Sequence, residues 1–499
     1  MSTPAPTLPP VQHRGLITAS IMLASVMSAL DTTIAIVALP HIQGTLSSTQ
    51  DQISWVLTSY IVAAAIMTPL SGWLASRYGR RRIFLASIFG FTLASVLCGV
   101  AQSLSEIVIA RLLQGLFGAA LVPLSQATLL DINPPERHAR AMAVWIMGVT
   151  LGPVIGPALG GWLTENYSWR WVFFINLPFG VLSFLGVLTF MRETQPRKLP
   201  FDFFGFATLS LAIGALQLLL DRGQSNDWFS DPETWIEATI AGLGLYLFVV
   251  HVATARGPVF ISPSLFKDRN YFTGSIFIFT MGAVLYATLA LLPPLLQGLF
   301  NYPVVLTGLV TAPRGLGSIA ALFLVGPLMR RIDVRYVIGT GFVMTVISLW
   351  HMSHFYLQTS TWAVVSSGVL QGFGTGFIYM PLAATAFGTL APHLRNEGTA
   401  LFNLLRNLGS SIGISAVTTL LVRNTQIMHA RLAEHVTPFA DPLTTQATQA
   451  ISPGGSLAAL NAEVTRQAAM IAYDNNFKLV MILTLCTAPL VVLLRPAQR

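Results

Sequence analysis

The sequence predicts an all-α integral membrane protein with fourteen transmembrane helices: two related six-helix bundles and two additional helices between them. Of its 499 residues, 53% are hydrophobic and only 10% charged. A soluble globular chain carries about 25% charged residues, so too little polar surface remains here to cover a water-soluble fold. Apolar runs of about 20 residues, the length that crosses roughly 30 Å of hydrocarbon, recur along the whole chain. Three short motifs of the first half also return in the second.

The runs lie at 17–39, 54–74, 83–101, 105–130, 141–163 and 171–191, then at 203–221 and 236–254, and finally at 272–298, 305–329, 334–351, 362–390, 400–422 and 477–494. Arg14 ahead of the first resembles a signal-peptide n-region. The apolar stretch after it is too long for an h-region and lacks a cleavage site, so it reads as an uncleaved first span. With the N-terminus inside, 19 of the 28 Lys and Arg residues fall in inside loops and six in outside loops. The remaining three, Arg111, Arg314 and Arg406, lie within spans. This positive-inside distribution predicts a multi-pass protein of the inner (cytoplasmic) membrane with both termini cytoplasmic. It also accounts for the net charge of +8 without nucleic acid as a partner. Cys98 and Cys486 stand far apart inside apolar runs, so neither a disulfide framework nor a metal site is implied.

The repeat appears in three pairs. "GWLASR" (72–77) matches "GPLMRR" (326–331) at an offset of 254. "LQGLFGAALVPL" (113–124) matches "LQGFGTGFIYMPL" (370–382), and "GPVIG" (152–156) matches "GSSIG" (409–413), both at 257. The offset exceeds one six-helix half by about 80 residues, enough for the two extra spans. The expected organisation is an N-terminal bundle at 14–191, linking helices at 192–260, a C-terminal bundle at 261–422 and 476–495, and an extracytoplasmic loop at 423–475.

Within "SALDTTIAIVALP" (28–40), Asp31 is the one carboxylate well inside a span, since Glu106, Asp131, Asp202 and Asp221 sit near ends. A charge there costs at least about 3 kcal/mol. By helix rise, Asp31 lies about 12 Å and Arg111 about 9 Å from the same outer face, so the two can meet. The offsets put Leu285 opposite Asp31 and Gly368 opposite Arg111 in the second half, which therefore lacks the charge pair.

Several of these segments resemble a known family. "GWLASRYGRRR" is similar to the loop motif between helices two and three of the major facilitator superfamily, "ARLLQGLFGAA" to its helix-four motif, and "GVTLGPVIGPALGG" to the antiporter motif of helix five. "LDTTIAIVALP", "WRWVFFINLPFG" and "LDRGQSNDWF" narrow the resemblance to fourteen-span drug:proton antiporters of the EmrB/QacA type, nearest the EmrB kind. Two positions depart from that pattern: Ser76 stands where the loop motif usually has an acid, and Ile36 where Asn is frequent.

The resemblance implies a proton-coupled exporter of lipophilic or cationic compounds working by alternating access. Asp31 and Arg111 would carry proton coupling, with substrate and proton competing for the acid; a permanent structural pair is the alternative. Desolvation and a neighbouring guanidinium act on such a carboxylate in opposite senses. Asp31, Trp55, Tyr60, Gln114, Gln126, Arg314, Gln371, Tyr379 and Arg406 could line the substrate cavity through charge, stacking and cation–π contact, although packing or lipid-interface roles suit several equally well. Gly148, Gly152, Gly156 and Gly160, spaced by four residues on helix five, allow close helix approach, and Pro153 and Pro157 add a bend; a seal and hinge between bundles is the sharper reading. Gly72, Arg77, Gly79 and Arg80, with Arg81 and Arg82, form the candidate cytoplasmic gating loop.

No cofactor is expected beyond the proton gradient, because no GxxxxGK[ST] phosphate cradle or metal cluster occurs. The histidines at 41, 251, 351, 354 and 393 are too scattered for an enzyme site. A lipid or fatty-acid translocating transporter of the same fold is the nearest alternative; a channel suits the repeat less well. The resemblance also implies a periplasmic membrane-fusion adaptor and an outer-membrane channel as partners, with 423–475 either docking the adaptor or capping the bundle.

Overall fold

The computed structural model describes residues 13–134, 137–196, 200–255, 257, 259–435 and 457–494. Among these no strand occurs, and every one of the fourteen apolar runs is helical. The first bundle is built from α1 (Arg14–Thr45), α2 (Gln50–Tyr78), α3 (Arg80–Val100), α4 (Leu104–Gly118), α5 (Leu121–Ile132), α6 (His138–Asn166), α7 (Trp171–Phe174) and α8 (Asn176–Phe190). Next come α9 (Phe203–Arg222) and α10 (Pro232–Thr254). The remainder comprises α11 (Ser264–Lys267), α12 (Arg269–Pro294), α13 (Val304–Thr311), α14 (Pro313–Leu328), α15 (Val334–Met352), α16 (Thr361–Gly388), α17 (Arg395–Glu434) and α18 (Leu457–Thr487).

Local chemistry sets the breaks. Thr49 and Gln52 close a reciprocal capping box at the start of α2, satisfying two backbone donors that a helix end leaves free. Ser103 and Asp333 cap α4 and α15 one way only, their side chains accepting from the Glu106 and Arg335 amides. The run at 105–130 breaks between α4 and α5, and the run at 305–329 breaks before Pro313, which opens α14. Eleven helical segments among the described residues are long and apolar enough to cross a membrane. The runs at 141–163, 334–351 and 362–390 lie in α6, α15 and α16, of 29, 19 and 28 residues.

The chain divides into two compact units. Unit 1 gathers Met1–Leu218, Ile236–Tyr271 and Ala383–Leu404; unit 2 gathers Leu219–Trp235, Phe272–Leu382 and Leu405–Arg499. Unit 1 thus takes in the start of α17 and the end of α16, while the repeat places both in the second half. Its core includes Leu30, Ile34, Val56, Cys98, Ile107 and Phe173; that of unit 2 includes Leu291, Leu295, Val310, Leu349 and Phe477. Large apolar side chains such as Phe203, Leu309, Phe323 and Trp362 stay exposed, as befits a protein whose surrounding solvent is hydrocarbon.

In unit 1, Asp202 ties down the extra pair, accepting from the Gly205 and Phe260 amides and from His251 at 2.9 Å. Burial alone would raise its carboxyl, but these donors outweigh it and hold the group below the usual range. Its contribution to stability is therefore present above the ordinary aspartate pKa and disappears as acid protonates it.

Both ends of the 423–475 segment are helical: α17 continues to Glu434 and α18 begins at Leu457. The "ISPGGS" break and the rest of 436–456 lie outside the described residues.

Gly79 joins α2 to α3 with φ +98°, a conformation that L side chains rarely adopt. A Cβ there would stand 2.5 Å from the Glu193 carboxylate. That carboxylate caps α3 by accepting from the Arg81 and Arg82 amides. Gly79→Ala is expected to cost about 1–3 kcal/mol, read as a lower unfolding temperature in detergent; an unchanged temperature would show that the turn tolerates a side chain.

Candidate functional site

Asp31 falls on the buried stripe of α1, with Ile21, Ala24, Met27, Ile34, Ala38 and Ile42 at helical spacing. Arg111 and Gln114 fall on the equivalent stripe of α4. The two stripes bring Asp31 and Arg111 together: Arg111 Nη1 lies 2.6 Å from Asp31 Oδ2, and both side chains are essentially inaccessible. Gln114 Nε2 and Asn176 Nδ2 donate to Asp31 Oδ1 at 2.8 and 2.7 Å. Arg111 also donates to Gln114 Oε1 at 2.8 Å and, through Nε, to the Val56 carbonyl at 3.0 Å. Its guanidinium lies over the Tyr60 ring, 4.5 Å from the centroid, with Phe173 beyond. A Cβ at Gly115 would collide with the Tyr60 carbonyl, so the α2–α4 approach that delivers Val56 depends on that glycine.

Four sequence candidates therefore meet: Asp31, Arg111, Gln114 and Tyr60. Asn176, within "WRWVFFINLPFG", has no role in the sequence reading; from the start of α8 it supplies the third polar partner of the acid. A buried acid needs donors as well as a counter-charge, and that requirement was the available signal. Trp55 is half-buried on α2, and Gln126 lies elsewhere in unit 1, accepting from Asn403 at 2.6 Å. Ile36 is 55% exposed and turned away from the buried acid, so the departure at this position does not reach the Asp31 cluster.

The helix-five glycines all face α1. A Cβ would stand 2.5 Å from Met22 at Gly148, 2.8 Å from the Leu30 amide at Gly152 and 2.7 Å from Ile34 at Gly160; at Gly156 it would overlap Thr33. Thr33 Oγ1 donates across this seam to the Gly152 carbonyl at 3.3 Å. The stripe is thus a tight α1–α6 seam within unit 1, on the helix that carries Asp31. The side chains of Pro153 and Pro157 lie outside the described residues.

At the α2–α3 loop, Arg80 is buried and bridges Asp131 at 2.7 Å and Asn396 Oδ1 at 2.6 and 3.0 Å. Arg395 binds the other oxygen of Asp131 at 2.6 Å. Ser76, where an acid is usual, accepts from Asn396 at 3.1 Å. The carboxylate expected at position 76 is supplied from α5, so the loop still meets a helix end through ionic contacts. Gly72 permits this, since a Cβ would lie 2.9 Å from the Asn396 carbonyl; Arg77 is half-buried beside them. Next to Asn396, burial pushes the Glu397 carboxyl up to about 7, against the Ser262 amide that donates to it. Asp131, Arg395, Asn396 and Glu397 escaped the sequence reading because they are polar residues near span ends, where solvation ordinarily explains them.

In unit 2, Gln371 is buried and donates to Thr288 at 3.1 Å. Arg406 reaches the Tyr379 hydroxyl at 3.3 Å, and Arg314 the Leu285 carbonyl at 3.4 Å. Neither arginine has a carboxylate within ion-pair distance among the described residues. Near the outer segment, burial pushes Asp474 up to about 7, with Lys478 and His354 opposing.

The model of the family described as "Major Facilitator Superfamily" matches residues 21–414. The chain is 36% identical over 497 residues to the fatty acid resistance protein FarB of Neisseria gonorrhoeae, covering 98% of each chain. It is 37% identical over 427 residues to the multidrug export protein EmrB of Escherichia coli strain K12, covering 85% of this chain and 83% of that one. Among solved structures it is similar in fold to the human organic anion transporter MFSD10, with a TM-score of 0.61 at 16% identity over 96% of this chain and 100% of that chain.

The charge pair carries a stability asymmetry. Arg111→Ala strands a buried carboxylate, a loss of about 3–5 kcal/mol, whereas Asp31→Asn leaves the guanidinium its Val56 and Gln114 acceptors. Size-exclusion recovery after heating should fall much further for Arg111→Ala than for Asp31→Asn; equal losses would show that the carboxylate is not what the arginine holds.

Proposed function

Because the chain belongs to the Major Facilitator Superfamily, we propose that it is a proton-driven efflux transporter for lipophilic compounds, acting by alternating access with Asp31 as the coupling acid. The observation that carries this is the Asp31–Arg111 pair, 2.6 Å apart inside the first unit. Its acid is the one carboxylate placed well within an apolar run. The EmrB relatives support drugs as cargo.

Protonation of Asp31 removes the ionic half of its bond to Arg111 while Gln114 and Asn176 remain in place as polar partners. The guanidinium then has the Val56 carbonyl, Gln114 and the Tyr60 face to hold it. α1 carries the acid, and it slides or tilts against α6 along the glycine seam. Protonation from outside accompanies substrate release, and proton loss to the cytoplasm accompanies substrate capture. The Arg80–Asp131–Arg395 contacts at the α2–α3 loop close in one state and open in the other. This orientation has both termini cytoplasmic in the inner membrane.

The FarB relative favours a second reading, translocation of fatty acids by the same machinery. A periplasmic adaptor feeding an outer-membrane channel is the proposed partner. Its support is that α17 spans 40 residues and α18 31 residues, about 60 and 46 Å at 1.5 Å per residue, well beyond the roughly 30 Å of hydrocarbon.

Reconstituted in liposomes, the protein should show substrate-dependent proton counterflow, and Asp31→Asn should abolish it while retaining substrate binding. Counterflow unchanged in Asp31→Asn would remove Asp31 as the coupling acid and direct attention to Asp474 and Glu397.

A further inference from the structure

The two span arginines of unit 2, Arg314 buried and Arg406 half-buried, are built differently from Arg111. Arg314 is 8% exposed; its Nη2 makes one long contact, 3.4 Å to the Leu285 carbonyl, and its Nη1 is buried with no acceptor. Arg406 makes contacts of 3.3 Å to the Tyr379 hydroxyl and 3.4 Å to Asn407 Oδ1, and its Nε is buried with no acceptor. All of these lie beyond the usual 2.7–3.2 Å of an N–H···O bond, whereas Arg111 bonds at 2.6, 2.8 and 3.0 Å.

The Arg314 side chain and the Arg406 backbone meet one stretch of α12. Arg314 reaches the carbonyl of Leu285, and a Cβ at Gly282 would collide with the Arg406 carbonyl. Those two positions are about 4.5 Å apart along the helix axis. Tyr286, beside them, lies within electrostatic range of both guanidiniums. No Asp or Glu occurs in the apolar runs at 272–298, 305–329, 334–351, 362–390, 400–422 and 477–494. A guanidinium does not give up its proton, so this layer holds two positive charges and no negative one. Uncompensated charge in hydrocarbon is costly and marks a functional site. Asp31 is elsewhere and saturated, with Arg111, Gln114 and Asn176 on its two oxygens.

We infer that Arg314 and Arg406, with the Tyr379 hydroxyl beside them, form the head-group site for an anionic amphiphile, so that the preferred cargo is negatively charged at its polar end. The planar donor fork of arginine suits carboxylate, sulfonate and similar oxyanions. The inference deepens the efflux reading and takes from it only that lipophilic compounds are the cargo. It reverses the charge that the Asp31 site suggests from sequence, because that acid has no free oxygen to offer a cation in this arrangement.

The test uses the full chain in lipid nanodiscs and three probes that share a twelve-carbon tail: dodecylsulfonate, dodecyltrimethylammonium and dodecanol. Binding is measured against empty discs. Dodecylsulfonate should bind tightest, and Arg314→Gln and Arg406→Gln should each weaken it about tenfold or more, the worth of a charge-assisted bond. Dodecanol binding should be unchanged in those variants, which also reports that they are folded, and Arg314→Lys and Arg406→Lys should keep most of the preference. Tighter binding of dodecyltrimethylammonium, or equal weakening of all three probes by the Gln variants, would overturn the assignment. The efflux reading fails separately: sulfonate preference without proton counterflow in liposomes sinks that reading alone, and counterflow with no head-group preference sinks this one alone.

Discussion

One ion pair in a medium that cannot solvate it organises the first unit. Asp31 and Arg111 are fully buried at 2.6 Å, and in hydrocarbon a carboxylate that loses its arginine finds no other counter-charge. Every neighbour follows from that requirement. Gln114 and Asn176 satisfy the remaining carboxylate oxygen, Val56 and the Tyr60 ring take up the rest of the guanidinium, and Gly115 lets α2 come close enough to provide them. The pair fastens α1, α4 and α8 together, and α1 is held on its other flank by the glycine seam of α6. Away from the pair, α1 is tied to its neighbours by neutral hydrogen bonds with Ser125, Trp145, Ser183 and Gly152.

The two sequence halves share backbone motifs but not charge. Where the first half places Arg111, the second has Gly368, and where the first has Asp31 the second has Leu285. Unit 2 instead acquires its cations from other helices, Arg314 on α14 and Arg406 on α17, and gives them weak neutral acceptors. The divergence separates two tasks that one shared acid would otherwise perform: a compensated pair suits reversible proton binding, and an uncompensated one suits capture of a counter-charge.

The contact at the α2–α3 loop shows how chemistry survives the loss of a motif residue. Ser76 cannot accept an ionic bond, yet Asp131 on α5 reaches Arg80 and Arg395 together, and Asn396 links Arg80 to Ser76. The interaction depends on where a carboxylate lies in space, and two helices offer such a place.

Much of the architecture was determined by the sequence alone. In hydrocarbon each span must satisfy its own backbone hydrogen bonds, so length and apolarity suffice to mark helices, and all fourteen runs are helical. The depth of Asp31 and Arg111 was legible for the same reason, because helix rise is constant. Their partners were not. Whether a glycine stripe faces a neighbour in its own unit or another, which acid replaces the one missing at 76, and which arginines are paired depend on how helices rotate and pack. Those rotations are set by contacts between residues far apart in the chain: Gly152 with Leu30, Asp131 with Arg395, Arg314 with Leu285. One-dimensional spacing carries no information about them, and only the tertiary structure decided which buried charges were compensated.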